Sequence, residues 1–418
     1  MSARRLAPGS PGVKPGLALA HPGLACLGLG LVGLLLPLAA GGAVTRTYYL
    51  AAEEVRWDYT PGGKGEHQRD NPSDPPGAAD TPAPQAFPGS RYRKAIFREY
   101  EDPGFERPKA RAEGERHLGL LGPILHAEVG DTLRVVFRNN ARRPYSLHPH
   151  GVLYRKDSEG AGYPDGTEAA AQGDDAVAPG ASYTYTWEVP ERAGPGPADP
   201  SSILWLYHSH VDATKDSFSG LVGGIAVTRR GMARPDGTPK DVDREVVTLF
   251  SVLDENQTWY LDESLREAAP REAGQKAPLA LDRKHPAFVE SNLRHAINGY
   301  THGTLPGIAM GRCERVRWYV AGLGNEIDIH TAHWHGNVGL SRGSRRDVID
   351  VLPAMTESLD MQPDNPGRWL LHCHVTDHLE AGMWALYTVT EDKDQGKDGK
   401  DGKDTSKKSP ARPIGACR

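Results

Sequence analysis

Apolar and polar positions alternate in short runs along most of the chain. Leu133, Val135 and Phe137 alternate with Arg134 and Arg138, and Val316, Trp318 and Val320 repeat the pattern. A period of two predicts strands with one buried face. The runs are strand-sized and separated by Gly- and Pro-rich loops, and they recur in a second copy. "GDTLRVVFRNNARRPYSLHPHG" (130–151) parallels "CERVRWYVAGLGNEIDIHTAHWHG" (313–336). Likewise "WLYHSHVDATKDSFSGLVGGIAVT" (205–228) parallels "WLLHCHVTDHLEAGMWALYTVT" (369–390). Such a repeat predicts two similar β-sandwiches, the first over 45–230 and the second over 244–392, joined by a linker at 231–243. The stretch 60–90, rich in Pro and Gly, reads as a long surface loop of the first.

Composition agrees with a loop-rich β protein. The 418 residues include 48 Gly and 34 Pro, and 38% are hydrophobic, which suits neither a helical bundle nor a disordered chain. A net charge of −5 leaves no basic footprint for nucleic acid. At the N-terminus Arg4 and Arg5 precede an uncharged run from Pro22 to Val44, with small residues at Ala39, Ala40 and Ala43. Residues 1–44 therefore read as a secretion signal, or as an uncleaved signal anchor. The tail 393–418 is charged and of low complexity and is expected to be disordered. Asn256-Gln257-Thr258 is an acceptor sequon for a glycan in a eukaryotic secreted protein.

The unusual balance is 17 His against four Cys, the latter at 26, 313, 373 and 417. So few and so widely spaced, the cysteines cannot be a disulfide-dense scaffold. Cys313 and Cys417 could pair in an oxidising compartment. The histidines fall in four short pairs: His148 and His150, His208 and His210, His333 and His335, His372 and His374. On a strand, residues i and i+2 share a face, so each pair can offer two imidazoles to neighbouring metal ions. One such pair is ordinary. Four, matched across a repeat, suit a three-copper cluster with two imidazoles on one ion and three on each of the others.

Cys373 lies between His372 and His374, so its side chain must point to the opposite face of that strand. There His330, His378 and Met383 can join it. One thiolate, two imidazoles and an axial thioether describe a blue-copper electron-transfer centre, covalently linked through Cys373 to the flanking histidines. The first repeat has Ser209 and Leu221 where the second has Cys373 and Met383, so only the second is expected to hold that centre. Asp165, in "YPDGT", is either a proton source near the cluster or a turn residue.

At these residues the sequence resembles the multicopper oxidases, and among them the ceruloplasmin–hephaestin branch. The resemblance is carried by "GLLGPILHAEVGDT", "YHSHVDATKD", "DENQTWYLDES", "ESNLRHAINGYTHG", "GNEIDIHTAHWHG" and "LLHCHVTDHLEAGM". It implies an all-β chain of two Greek-key cupredoxin domains with four coppers per active unit. His330, Cys373, His378 and Met383 would hold the type 1 ion, and His148 and His333 the type 2 ion. His150, His208, His210, His335, His372 and His374 would hold the type 3 pair. Family members oxidise substrate one electron at a time and reduce dioxygen to water. Ferroxidase members bind Fe(II) near the type 1 site, at positions matching Glu290, His295 and Asp377.

Other readings remain in view: a laccase acting on phenols or aromatic amines, and a non-catalytic clotting-factor-like A domain. A copper nitrite reductase would carry its cysteine in the first domain. The large family members string six domains together and this chain shows two. A homotrimer is therefore expected, with each cluster enclosed by domain two of one chain and domain one of the next, as two-domain laccases are built.

Overall fold

The computed structural model describes residues 43–62, 89–268, 282–391 and 417. The expected signal, most of the 60–90 loop, Cys26 and nearly all of the tail lie outside the described residues. The first half contributes β1 (Thr45–Asp58), β2 (Arg91–Tyr100), β3 (Ile124–Glu128) and β4 (Thr132–Asn139). It continues with β5 (His148–Pro149), β6 (Ser182–Glu188), β7 (Ser202–His208), helix α1 (Ala213–Ser219) and β8 (Val222–Thr228). The second half opens with β9 (Arg244–Asp254), α2 (Leu261–Ala268), α3 (Pro286–Ser291) and β10 (Leu293–Ile297). Then come β11 (Ala309–Gly311), β12 (Val316–Gly322), β13 (His330–Trp334), β14 (Gly339–Ser341), β15 (Ser344–Arg346) and β16 (Val348–Val351). It closes with β17 (Thr356–Met361), β18 (Gly367–Cys373), α4 (Thr376–Glu380) and β19 (Trp384–Thr390).

The repeat seen in the sequence recurs strand for strand in the sheets. Sheet one runs β2-β1-β4-β6 and sheet three begins β10-β9-β12-β17 before adding β14 and β15. Sheet two runs β3-β8-β7-β5 and sheet four runs β11-β19-β18-β13, with β16 added at its edge. Even the parallel pairings match: β1 with β4 and β9 with β12, β3 with β8 and β11 with β19.

Each half buries one core between its own two sheets. Leu133, Val135 and Phe137 enter the first, with Trp187 and Ile225, and Val316, Trp318 and Val320 enter the second, with Trp334 and Tyr387. A third core lies between the halves: Leu204, Leu206, Val222 and Ala226 of β7 and β8 pack on Val247, Leu249, Tyr319 and Ala321 of β9 and β12. The alternation predicted for 316–320 is therefore only half the story. Strand β12 is buried on both faces, because its second face meets the other half of the chain. Arg317, only 1% exposed, is kept there by Asp360, to which its Nε and Nη2 donate at 2.6 and 2.9 Å.

A buried polar cluster also crosses between the halves. Lys94 on β2 and Glu255 beyond β9, both fully buried, form an ion pair, and the Tyr59 hydroxyl donates to Glu255 at 2.5 Å. Cys313 and Cys417 form a disulfide. In the sequon, both N–H groups of Asn256 Nδ2 are engaged, with Asp254 Oδ1 at 2.8 Å and the Val289 carbonyl at 3.0 Å. Among the described residues no helix is long and apolar enough to cross a membrane.

Candidate metal centre

Strand β18 ends at Cys373, and the chain then turns through α4 and returns along β19. The turn is closed by the Cys373 N–H on the Met383 carbonyl at 3.0 Å and the Met383 N–H on the His378 carbonyl at 2.9 Å. These bonds hold a thiol, an imidazole and a thioether within one loop. Strand β13 pairs beside it, Ala332 opposite Cys373, and brings His330 to the same side. The result is a fully enclosed group: His330, Cys373 and His378. Cys373 Sγ lies 3.8 Å from His330 Nδ1 and 3.6 Å from His378 Nδ1, and the two imidazole nitrogens are 3.2 Å apart. Met383 is completely buried in the same core.

Burial alone would push the Cys373 thiol up, but contacts from His330 and His378 outweigh it and bring it down to about 6. At neutral pH it is mostly a thiolate facing two ring nitrogens. For His330 burial acts downward and the Asp328 carboxylate overrides it, raising the imidazole above its ordinary value.

On the other side of the same strands lie four imidazoles. His333 and His335 of the β13 segment meet His372 and His374, with ring centroids between 4.6 and 5.3 Å apart. His372 Nε2 is 3.1 Å from both His333 Nδ1 and His335 Nε2, while His372 Nδ1 is engaged by the Cys373 carbonyl at 2.8 Å. The first half of the chain builds the same quartet. His148, His150, His208 and His210 lie with neighbouring ring centroids 5.1 to 5.6 Å apart, and His150 Nε2 is 3.1 Å from His208 Nε2. Backbone carbonyls orient these rings too: Glu159 holds His148 Nδ1 at 2.8 Å and Ser209 holds His208 Nδ1 at 3.0 Å.

Burial, reinforced by neighbouring imidazoles, lowers His150 and His372 to about 4 and His208 to about 3. At neutral pH these rings are uncharged, the form in which imidazole binds metal. Two convergent sets of imidazoles and one thiolate–imidazole set fit copper by donor chemistry.

The two quartets share no ring contact and no common group among the described residues. The structure therefore does not bring together His148 and His333, which the resemblance places on one ion, nor the two halves of the type 3 set. Where the first half has Ser209 in place of Cys373, a hydroxyl network fills the space. Ser209 Oγ donates to buried Asp216 at 2.7 Å, and Trp259 Nε1 donates to the same carboxylate at 2.8 Å.

The candidate iron residues are spread around the thiolate group. The His295 ring lies against that of His378 at 5.2 Å between centroids, and its Nδ1 is buried without a partner. Burial, then the neighbouring His378, lowers it to about 4. Glu290 on α3 and Asp377 on α4 are exposed. The three do not converge within 4.8 Å as the other groups do. Asp165 is exposed and paired with Lys156 Nζ at 2.6 Å, which holds its carboxyl well below the usual range. Such a fixed anion is poorly poised to supply protons at neutral pH.

Two residues escaped the sequence reading. Asp328 sits behind His330, and Glu159 orients His148 through its backbone carbonyl. A carboxylate two residues before a ligand is a weak signal, and a main-chain oxygen leaves none.

Family models described as multicopper oxidase match residues 118–231 and 276–393. Hephaestin from Mus musculus is 42% identical over 355 residues, covering 84% of this chain and 29% of its own length. Ferroxidase HEPHL1 from Homo sapiens is 45% identical over 370 residues, covering 87% and 30%. Ceruloplasmin from Homo sapiens is 41% identical over 357 residues, covering 84% and 31%. The chain thus spans less than a third of the length of these relatives. Among solved structures, a copper nitrite reductase from Nitrosomonas europaea superposes with a TM-score of 0.53 at 17% identity, over 85% of this chain and 98% of that one. The multicopper oxidase mgLAC gives 0.52 at 19%, over 87% and 89%. These likenesses are of fold: cupredoxin-like β-sandwiches.

Proposed function

The chain belongs to the multicopper oxidases, and from that premise we propose that it couples oxidation of Fe(II) to Fe(III) with reduction of dioxygen to water. The observation that carries this reading is one pair of strands, β13 and β18, bearing a buried thiolate–imidazole group on one face and an imidazole quartet on the other. Bound copper, one ion at His330, Cys373 and His378 beside Met383 and three among the eight paired imidazoles, would supply one-electron transfer and dioxygen chemistry. The protein's part is to hold these donors in place, with Cys373 a thiolate and the buried His150, His208 and His372 uncharged. Cys373 further joins the two groups through its own backbone to His372 and His374.

Iron is the favoured substrate because relatives carry the name ferroxidase and because His295, with an unpartnered nitrogen, touches the ring of His378. Asp377, which adjoins His378 in sequence, and Glu290 supply oxygen donors that prefer Fe(III) to Fe(II) and so ease its oxidation. In this reading the carboxylates close on the ion as it binds.

The assembly we propose is a homotrimer in which each cluster takes one quartet from each of two chains. Its support is the separation of the quartets within one chain. An open cavity of 480 Å³, lined by His148 and His150 together with Tyr154 and Arg192, leaves those two rings accessible. The Cys313–Cys417 disulfide suits work in an oxidising compartment.

Oxygen uptake by the copper-loaded protein, with Fe(II) and with a phenol, tests the reading alongside an absorption spectrum. A blue protein with Fe(II)-driven uptake far above autoxidation is expected. Blue colour with turnover of phenol alone would move it to the laccases. Absence of blue colour at full loading would remove the copper assignment of Cys373.

A further inference from the structure

Asp328 is closed off from solvent together with His330, each 0% exposed. Its Oδ1 faces His330 Nε2 at 3.1 Å and accepts the Val252 N–H at 2.6 Å, and its Oδ2 accepts the Asn325 N–H at 2.8 Å. A buried carboxylate is costly unless its oxygens are satisfied; two backbone N–H donors and the facing imidazole nitrogen satisfy this one. Room for it comes from Gly324, whose φ is +142° and where a Cβ would stand 2.0 Å from Asp328 Oδ2. The fold thus reserves a glycine and two backbone amides to seat one carboxylate against one imidazole nitrogen.

The consequence lies on the far side of the ring. A carboxylate ringed by N–H donors accepts, so the shared proton belongs on Nε2 of His330. Nδ1 is then left bare, and it is the nitrogen that faces Cys373 Sγ at 3.8 Å and His378 Nδ1 at 3.2 Å. We propose that Asp328 is a positioning residue of the metal centre, fixing the tautomer of His330 and, through its charge, favouring Cu(II) over Cu(I) there. The inference rests on the copper reading of His330, Cys373 and His378. Asp328 reaches further than one ring. Val252, whose amide it holds, is the register partner of His295 on β10, so one carboxylate braces the backbones behind both the metal ligand and the histidine that touches His378.

Substitution separates the shape of Asp328 from its charge. Asp328→Asn keeps the shape and an accepting oxygen but removes the charge; Asp328→Ala removes both. Partners of metal-bound histidines are worth roughly 10–100-fold in affinity. If that loss falls on Cu(II) alone, the centre's potential rises by about 60–120 mV at about 59 mV per tenfold for one electron. The measurements are a reductive titration followed at the blue band, the paramagnetic resonance spectrum, and copper retained after dialysis against a chelator, all on the full copper-loaded chain. Asp328→Asn is expected to stay blue with a raised potential and weakened Cu(II) retention. Asp328→Ala is expected to lose the blue centre preferentially while the imidazole-bound copper stays.

If Asp328→Asn keeps the parent's potential, resonance parameters and copper retention, and only melts earlier, Asp328 merely closes the 324–328 turn and the proposal is overturned. The Asn variant decides the matter even should the Ala variant fail to fold. A parent protein that never turns blue overturns the copper reading and this inference together, whereas a blue parent with unaltered variants sinks this inference alone.

Discussion

For an enclosed histidine with no carboxylate beside it, burial decides protonation. His117 is enclosed; its Nδ1 lies 2.8 Å from the Gly114 carbonyl and its Nε2 accepts the Val247 N–H at 3.1 Å. A second proton would set two N–H groups against each other, and burial, the larger effect, lowers this ring to about 4. An unfolded histidine titrates near 6.5. Between these values the unfolded chain holds a proton that the folded chain refuses, so stability is complete above about 6.5 and drains away as pH falls toward 4. His117 alone contributes about 3 kcal/mol to this slope, and His150, His208 and His372 act in the same direction in the metal-free protein. The metal-free protein should therefore melt progressively lower between pH 7 and 5, by roughly 2–4 °C per kcal/mol lost. Copper loading should flatten the dependence, and so, in part, should His117→Gln; a melting temperature level across that range would contradict the burial argument. Cys373→Ser should abolish blue colour and turnover together. The residues behind these statements differ in how they announce themselves. Thiolate and imidazole ligands are rare side chains in a repeated pattern and stand out from the sequence. His117, Asp328 and the Glu159 carbonyl act through enclosure, which no local pattern records.

Among strands and helices, the sequence foretold most where one face is buried and least where two are. The alternation of β4 survives in the fold, Leu133, Val135 and Phe137 inward and Arg134 exposed. That of β12 is overwritten by its contact with β7 and β8. Nor do the histidine pairs sit wholly on strands: β7 ends at His208 and β18 at Cys373, so His210 and His374 lie just past the pleat. The pairing between elements is what fixes the thiolate and imidazole faces. The same holds for Lys94 and Glu255, which lock β2 to the segment after β9. Glu255→Ala leaves a buried ammonium unpaired and should cost about 3–5 kcal/mol in denaturant unfolding. Replacing both by apolar residues of similar volume should cost much less. Equal losses for the single and double changes would mean that packing, not charge, holds the junction. Glu290→Ala with Asp377→Ala lies on exposed elements, so stability should hardly change. KM for Fe(II) should rise about tenfold or more while that for a bulky dye stays put, as expected for lost binding contacts.

For the whole molecule the proposal is that two quartets, built by corresponding strands, meet between chains. Within one chain they remain apart, and the repeat that made the sequence legible gives no clue to assembly, because a copy number is not written in a period. Subunit mixing addresses it. Chains with His148→Ala and His150→Ala should be inactive, as should chains with His333→Ala and His335→Ala. Unfolded together and refolded, they should regain about a quarter of the parent's activity, since about that fraction of random head-to-tail contacts joins two intact quartets. No recovery, with mixed oligomers demonstrably formed, would mean that the cluster does not form between chains. A cluster divided between chains, as proposed, would also carry a consequence for inheritance. A chain damaged in one quartet spoils only the cluster that quartet enters and still serves its other neighbour. Where half the chains carry such damage, half the clusters survive, so the trait should follow gene dosage rather than act as a dominant poison.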